Sequence, residues 1–276
     1  MDPQHFIAYG IFFVLFGLEL LFSVRKHLGL YKADDTINNL LLGLFTTTFL
    51  IIGKGTFLAV FTFFNNITLF NIEMHWWAWI ILFILNELIF YFVHRISHVV
   101  RFFWAFHVTH HNSVNYNFST SVRNNFLIQT FRYGFYIPLA LIGFPAWAII
   151  LMDSIAYFYQ LIVHTQTIRS WGFLEHFMNT PSHHRVHHAS NPAYIDKNYG
   201  AILIIWDKLF GTFKKEEEPV RFGITKNIEK NNLIQPLFSE MIDIGKDLGK
   251  SRSVSDVFNT LFNHPGWRYE RGFAKL

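Results

Sequence analysis

Long apolar runs constrain this chain more than any other feature of its sequence. A helix needs about 20 consecutive apolar residues to cross a bilayer core of about 30 Å. Residues 6–24, 37–64 and 76–93 are near or above that length and predict three membrane spans. Residues 133–163 are also apolar but contain Gly143 and Pro145, which predicts a membrane hairpin, either shallow or extended at both ends. The pattern favours an all-α integral membrane bundle with a helical cap outside the bilayer.

The composition supports a membrane protein. Hydrophobic residues make up 51% of the chain, and charged residues make up 15%, against about 25% charged residues in a typical soluble domain. These values argue against a disordered chain and against an ordinary soluble enzyme. The net charge of +4 is too diffuse, in so apolar a chain, to indicate nucleic acid binding.

Basic residues predict the orientation of the spans. Arg25 and Lys26 follow the first run and Arg95 follows the third, whereas residues 65–75 contain neither lysine nor arginine. Cytoplasmic loops carry the excess of basic residues, so we expect the N-terminus outside and everything from His94 onwards in the cytoplasm. This assignment requires residues 37–64 to cross the membrane once, and a hairpin there would invert it.

The chain divides on these grounds into three parts. Residues 1–93 are the N-terminal spans, and residues 94–213 are a histidine-rich domain that includes the hairpin. Residues 214–276 are predicted to be a polar cytosolic C-terminal tail, because charged residues are concentrated there.

Histidines provide the candidate metal ligands. The chain has 15 histidines and no cysteine, so a metal must be bound by histidine, aspartate, glutamate or water. Side chains three or four residues apart share one face of a helix, and three groups of histidines have that spacing. The candidate ligands are His94, His98, His107, His110, His111, His164, His184, His187 and His188, with His183 an ambiguous tenth. The remaining histidines are isolated, and we interpret His5, His27, His75 and His264 as surface residues.

Nine imidazoles are too many for one first-row metal ion and suit two. Imidazole nitrogen is a good ligand for iron, zinc, copper and nickel, but zinc has no redox chemistry. An all-histidine site at a membrane surface, without strong acids around it, fits oxygen activation by two irons better than hydrolysis. Thr180 and Pro181 could supply the N-cap and first residue of the helix that carries the last group.

The order of these groups resembles the fatty acid hydroxylase and sterol desaturase superfamily of membrane oxidases. Its pattern is His-x3-4-His, then His-x2-His-His, then a lone histidine after a membrane hairpin, then a second His-x2-His-His, and all four parts occur here in that order. Within the superfamily the likeness is greatest to alkylglycerol monooxygenase and its bacterial relatives. Supporting segments are Asn117 with Arg123, residues 180–188, Asn191-Pro192, residues 194–200 and residues 206–213. The resemblance covers residues 86–213.

The resemblance implies two iron ions, molecular oxygen as co-substrate and a lipid substrate taken from the bilayer. For alkylglycerol monooxygenase it also implies tetrahydrobiopterin as reductant and cleavage of an ether lipid through a hemiacetal. The alternative is a sterol, fatty acid or carotenoid desaturase or hydroxylase with a cytochrome or ferredoxin-type electron donor. The ligand set does not separate hydroxylation from desaturation. A non-catalytic metal carrier or sensor in the membrane is the alternative from another class.

Carboxylates and amides near the histidines are candidates for orienting them. A metal-bound histidine usually donates its second ring N–H to a carboxylate or carbonyl. Glu87 lies seven residues before His94 on the same predicted helix face, and a carboxylate inside a span is costly and usually paired or functional. We expect Glu87, Asp196, Asn198 and Asp207 to support the ligands in this way, with Asp153 a weaker candidate for His164. The alternative for Asp196, Asn198 and Asp207 is that they simply cap turns. The sequence indicates no catalytic group beyond the metal ligands and singles out no substrate contact.

Overall fold

Helices dominate the fold. The structure is a computed structural model that describes residues 3–225, 233–268 and 272–273. Its α-helices are α1 (Pro3–Arg25), α2 (Ala33–Ile67), α3 (Trp76–Val99), α4 (Arg101–His111), α5 (Phe118–Ser121), α6 (Ile128–Gly134), α7 (Ile137–Leu141), α8 (Ala146–Ile162), α9 (Pro181–His187), α10 (Ile205–Leu209), α11 (Ile234–Lys250) and α12 (Val254–Phe262). A 3-10 turn covers Gly172–His176. Two short antiparallel strands, β1 (Trp267–Arg268) and β2 (Gly272–Phe273), pair Trp267 with Phe273 and Arg268 with Gly272.

Among the described residues, two helices are long and apolar enough to cross a bilayer, namely α2 and α3. The predicted first run forms α1, and α8 is a shorter apolar helix. Helix α2 continues without a break through Gly53 and Gly55, so residues 37–64 do not form a hairpin. Its 35 residues are about 52 Å long. The prediction of a mainly helical fold with apolar, membrane-capable helices is confirmed, and the number of spans stays a prediction.

The predicted hairpin is extended and runs alongside α2. Its two arms are α6 with α7 and then α8, and its tip reaches the connection between α2 and α3, where Ile72 donates its backbone N–H to the Gly143 carbonyl at 3.0 Å. The Asn65 amide donates to the carbonyls of Ala140 and Phe144, both at 2.9 Å. Gly143 has φ +100°, and a Cβ there would lie 2.8 Å from the Phe70 backbone. Glycine is therefore required at the tip.

A buried ion pair joins the two arms of the hairpin. Arg132 of α6, in the first arm and far from the tip, donates to both carboxylate oxygens of Asp153 in α8, at 2.6 and 2.7 Å. Asp153 is therefore occupied by Arg132 and does not reach His164, so the prediction that it supports His164 is wrong. Pairing explains why both charges are tolerated between apolar helices.

Apolar packing fills the space between α2, α3 and the hairpin. Leu82 and Ala78 of α3 meet Leu139 and Ile149 of the hairpin in the largest buried cluster. Many large apolar side chains on the outer faces of α1, α2 and α3 are exposed, including Ile52 and Ile80. Such contiguous apolar surface suits contact with lipid.

The segment after Phe213, predicted as a polar tail, packs against the histidine end of the molecule. Arg101, fully buried at the start of α4, lies 2.7 Å from Glu240 and 2.7 Å from Asp247 of α11. The Thr109 hydroxyl of α4 donates to the Pro236 carbonyl at 2.9 Å. Helix α11 therefore fixes the position of α4, which carries three of the candidate ligands.

Candidate metal centre

All nine predicted ligands lie together at one end of the helices. Helix α3 contributes two histidines near its C-terminal end, α4 contributes three, and α9 with its C-cap contributes three. His164 follows the second arm of the hairpin after α8. Thr180 and Pro181 are the N-cap and first residue of α9, as predicted, although the Thr180 side chain forms no capping hydrogen bond.

The nine imidazoles form two separate groups. The five-histidine cluster consists of His94, His98, His107, His111 and His187. The four-histidine cluster consists of His110, His164, His184 and His188. In each cluster the ligand atoms lie within 4.8 Å of one another. The clusters adjoin, since the rings of His111 and His188 stack with centroids 4.3 Å apart.

Helical geometry divides each His-x2-His-His motif between the clusters. Residues four apart are rotated by about 40° around a helix, whereas adjacent residues are rotated by about 100°. Accordingly His107 and His111 of α4 enter the five-histidine cluster, and His110 turns to the other. In the last motif, His184 and His188 enter the four-histidine cluster, and His187 enters the five-histidine cluster. Each motif therefore links the two groups.

Backbone carbonyls fix the orientation of four of the rings. Nδ1 of His94 lies 2.8 Å from the Tyr199 carbonyl, and Nδ1 of His187 lies 3.0 Å from the Lys197 carbonyl. Nδ1 of His110 lies 3.0 Å from the carbonyl of Arg123, and Nδ1 of His164 lies 2.6 Å from that of Gln160. A carbonyl only accepts, so each Nδ1 carries the hydrogen and each Nε2 of a neutral ring presents a lone pair.

These lone pairs point at one another, which is the arrangement a cation requires. Nε2 of His110 and Nε2 of His164 are 3.3 Å apart, although neither has a hydrogen to donate. Other Nε2 pairs are 3.0 to 3.2 Å apart in the two clusters. Nitrogen ligands about 2.1 Å from a common metal ion are separated by roughly 3.0–3.4 Å. The buried Nε2 atoms of His98 and His187 in the five-histidine cluster have no hydrogen-bond partner. These spacings fit a metal ion in each cluster.

Burial keeps the rings outside the span neutral. Desolvation lowers the pKa of His164 to about 3. Desolvation, followed by the proximity of neighbouring imidazoles, also lowers the pKa values of His107, His111, His184 and His188 well below the usual histidine value. Neutral imidazole is the form that binds metal.

The loop after α9 supports the five-histidine cluster. Asp196 lies 3.7 Å from Nδ1 of His98, and its role in orienting that ring stays a prediction. Asp207 accepts the N–H groups of Tyr199 and Gly200, both at 2.8 Å, and the Thr212 hydroxyl at 2.7 Å. It thereby holds the turn whose Tyr199 carbonyl meets His94.

Asn198 and Glu87 are placed differently from the prediction. The Asn198 amide donates to the backbone carbonyls of His183 and Lys214 at 3.0 and 2.7 Å, so it holds chain segments and no imidazole. Glu87 accepts the backbone N–H groups of Ile202 and Leu203 at 2.9 and 2.8 Å. The expectation that Glu87 contacts the first pair of histidines is wrong, because its Oε2 accepts these two loop amides and its Oε1 has no hydrogen-bond partner.

Two further histidines depart from the simple pattern. His183 is buried, but its ring packs edge-on against Phe213 and its Nδ1 lies 3.2 Å from the Met178 carbonyl, so it belongs to neither cluster. His264, predicted to be a surface residue, lies 3.4 Å from Asp196. Asp196 therefore lies between His264 and the candidate ligand His98, and the two interactions lower its pKa despite burial.

Further polar side chains anchor the segments around the site, and the sequence did not indicate their partners. Arg123 donates to the Thr109 carbonyl of α4 and to Asn39 of α2, at 2.7 and 2.8 Å. Glu19 of α1 accepts the hydroxyl of Thr165, next to His164, and the N–H of Phe118. A charged residue within an apolar run was the available signal for Glu19, whereas nothing local identified its partners.

The comparisons with known proteins agree with this geometry. Residues 79–212 match the family model of fatty acid hydroxylases. The matched segment carries all nine clustered histidines. The predicted resemblance is confirmed.

Within that family the chain is similar to alkylglycerol monooxygenases. One from Xenopus tropicalis is 34% identical over 261 residues, covering 93% of this chain and 58% of the relative. One from Homo sapiens is 36% identical over 266 residues, covering 94% of this chain and 59% of the relative. An ornithine lipid hydroxylase from Rhizobium tropici is 32% identical over 148 residues, covering 52% and 45%. The matches thus cover 58% and 59% of the two alkylglycerol monooxygenases and 45% of the ornithine lipid hydroxylase, and no solved structure matches the chain significantly.

Proposed function

We propose that this protein is a membrane-bound di-iron oxidoreductase that uses molecular oxygen to hydroxylate a C–H bond of a lipid. The observation that carries the proposal is the convergence of nine buried imidazoles into two adjoining clusters within the segment that matches the family model of fatty acid hydroxylases. Iron suits these ligands and, unlike zinc, has redox chemistry. With iron bound, the centre supplies the oxidising power to attack an unactivated C–H bond.

The protein's own residues would hold and enclose that centre. The five-histidine and four-histidine clusters each bind one ion, while carbonyls and Asp196 keep the rings oriented. Every ligand residue exposes at most 8% of its surface, so bulk water has little access. Exclusion of water protects a strong oxidant from side reactions.

An ether lipid is the favoured substrate. The alkylglycerol monooxygenases match 93% and 94% of this chain, whereas the ornithine lipid hydroxylase matches 52%. The reaction consumes the ether lipid, O2, two electrons and two protons, and yields water and a hydroxyl group on the carbon beside the ether oxygen. The resulting hemiacetal breaks into an aldehyde and a glycerol derivative. A reduced pterin or a cytochrome or ferredoxin-type protein supplies the electrons.

The membrane placement of the site belongs to the same proposal. The hairpin tip and residues 65–75 lie at the end of the helices opposite the histidines, and residues 65–75 carry no basic residue. We assign that end to the outside and the metal centre and C-terminus to the cytoplasm, by the positive-inside rule. Residues 1–93 then act as spans, 94–213 as the catalytic domain and 214–276 as a cytosolic segment whose helix α11 packs on α4.

The two alternative functions predict different experimental results. A desaturase or hydroxylase of sterols, fatty acids or carotenoids would use the same ligands with a protein electron donor, so activity dependent on added tetrahydropterin would exclude it. A metal carrier or sensor would show exchangeable metal and no oxygen uptake. The carrier is disfavoured because the histidines gather at one end of the helices and do not line a path through them.

Mass spectrometry of total lipids tests the proposal. We compare cells expressing the protein with cells expressing His187→Ala/His188→Ala, which removes one ligand from each cluster. His183→Asn is the matched control, since His183 lies on the same helix, is buried and enters neither cluster. We expect an ether lipid to disappear and an aldehyde to accumulate with the wild type and the control, but not with the double variant. Loss of two hydrogens from a lipid would indicate a desaturase, and identical lipids in all strains would contradict the proposal.

A further inference from the structure

Helix α12 exposes an apolar face. Val254, Phe258 and Phe262 are 86%, 61% and 47% exposed, and they are four residues apart, so they form one stripe. Val257, 40% exposed, lies beside it. No described residue covers this stripe, although burying such side chains is favourable.

The opposite side of α12 is polar and attached to the protein. Thr260 is fully buried and its hydroxyl donates to the Asp256 carbonyl at 2.8 Å. Ser253 and Asp256 form a capping box that fixes the N-terminus of the helix. The helix packs on α4 and α11. Helix α12 therefore turns its polar side to the protein and its apolar side outward, the opposite of a helix that packs on a protein core.

A backbone contact attaches the end of α12 to the chain just beyond the C-terminal end of α3. The Asn263 carbonyl, just after α12, accepts the backbone N–H of Arg101 at 2.9 Å, two residues beyond the end of α3. The next residue, Phe102, packs edge-on against Phe131 at the base of the hairpin, with centroids 5.3 Å apart. The C-terminal end of α12 is therefore level with the cytoplasmic ends of the membrane segments.

Charge and length agree with a helix at the bilayer surface. Lys250 and Arg252 immediately precede α12 and are exposed, where they suit anionic lipid headgroups. The nine residues of α12 are about 14 Å long, which is too short to cross a bilayer of about 30 Å. Amphipathic helices with basic flanks lie in the interface with the apolar face in the acyl boundary.

We propose that α12 is an interfacial helix whose Val254, Phe258 and Phe262 side chains insert into the cytoplasmic leaflet, the occupant of this face being lipid. Because α12 and α11 hold α4, this contact fixes the depth of the ligand-bearing helix relative to the bilayer. The inference rests on the membrane placement proposed above and not on the reaction.

Spin labels in nanodiscs test the inference, since the chain has no cysteine and each introduced cysteine is labelled uniquely. We label Val254→Cys and Phe258→Cys in the full chain, in phosphatidylcholine with phosphatidylglycerol, and measure collision rates with oxygen and with a water-soluble nickel chelate. Ser255→Cys, an exposed polar position at the flank of the stripe and rotated by about 100° from Val254, is the aqueous control. Ile80→Cys, 55% exposed on α3, is the lipid control.

We expect labels 254 and 258 to show a several-fold higher ratio of oxygen to nickel collisions than label 255. Their ratios should approach the ratio measured at label 80. Aqueous ratios at 254 and 258, with a lipid ratio at 80, would overturn the inference and leave the membrane placement intact. Exclusion of both reagents at 254 and 258 would show that protein covers the face, which also overturns it. An aqueous ratio at 80 would overturn the membrane placement and the inference with it. All labelled side chains are exposed, so the fold does not depend on them.

Discussion

The two histidine clusters share α4 and α9, yet different parts of the molecule hold their rings. In the four-histidine cluster the supporting carbonyls belong to Gln160, one helical turn before His164, and to Arg123. In the five-histidine cluster they belong to Lys197 and Tyr199, in one irregular loop. Gln160 lies in helix α8, whose backbone needs no distant side chain to keep its shape, whereas the irregular loop of Lys197 and Tyr199 does.

The loop that supports the five-histidine cluster contains uncommon backbone conformations. Asp196 and Asn198 have φ +59° and +57°, in the left-handed region that few side chains adopt without cost. Asp207 and Glu87 satisfy four backbone N–H groups of the segment that follows. The comparison predicts that side-chain changes outside the ligands will weaken the five-histidine cluster more than the four-histidine cluster.

Removal of single ligands gives the largest expected effect. His110→Ala removes a ligand of the four-histidine cluster, and His111→Ala, at the adjacent position, removes one of the five-histidine cluster. We expect both variants to lose lipid oxidation, and each to retain the metal of the cluster that it leaves intact. Metal analysis of the purified proteins, with His183→Asn as control, measures this. Loss of all metal from both variants would show that the clusters do not bind independently.

Withdrawal of metal is expected to destabilise the folded protein. A ligand at about 1000 times its dissociation constant stabilises the native state by about 4 kcal/mol, and without a cation the converging lone pairs of His110 and His164 are unscreened. Chelation should therefore lower the thermal unfolding temperature of the wild type. The double variant His110→Ala/His111→Ala should respond much less, and an equal response would contradict metal binding at these clusters.

Asp207→Ala tests the dependence of the five-histidine cluster on its loop. The substitution leaves the buried N–H groups of Tyr199 and Gly200 without an acceptor, which costs about 2–4 kcal/mol of stability. We expect thermal stability to fall and metal to be lost first from the five-histidine cluster. Asp243→Asn, on the exposed face of α11 with Lys246 as its partner, is the control and should change neither quantity.

Substitution of Asp196 gives a smaller effect confined to metal affinity. Loss of a group that orients a ligand typically weakens metal binding by about 10–100-fold. We expect Asp196→Asn to fall in that range, and His264→Gln, which acts on His98 through Asp196, to have a smaller effect. Competition titrations with a metal indicator resolve the two clusters. Equal weakening at both clusters would contradict the assignment of Asp196 to His98.

Local spacing explains what could be predicted from the sequence. Residues three and four apart share a helix face whatever the rest of the chain does, so the motifs at 107–111 and 184–188 identified the clustered residues. Their division between two clusters follows from the same helical rotation but depends on where the other helices lie. The apolar runs likewise gave α2, α3 and the hairpin turn at Gly143, because hydrophobic length and glycine are local signals.

Contacts between distant segments explain what could not be predicted. Glu87 shares a helix stripe with His94, yet its carboxylate meets amides 115 and 116 residues away. His264 reaches Asp196 across 68 residues, and no pattern around His264 indicates it. The backbone carbonyls of Tyr199 and Lys197 give no signal in the sequence, since every residue has a backbone carbonyl. The spacing of residues in a motif therefore does not predict polar contacts between distant segments of the chain.

Iron K-edge X-ray absorption on the purified, iron-loaded protein tests the central claim most directly. We predict two irons per chain, with a nitrogen-dominated coordination shell at about 2.1 Å and strong outer-shell scattering from several imidazoles. His110→Ala and His111→Ala should each reduce the bound iron by half while the remaining iron keeps its imidazole signal. Iron without imidazole scattering, or iron content unchanged in both variants, would contradict the assignment of the two clusters as the metal centre.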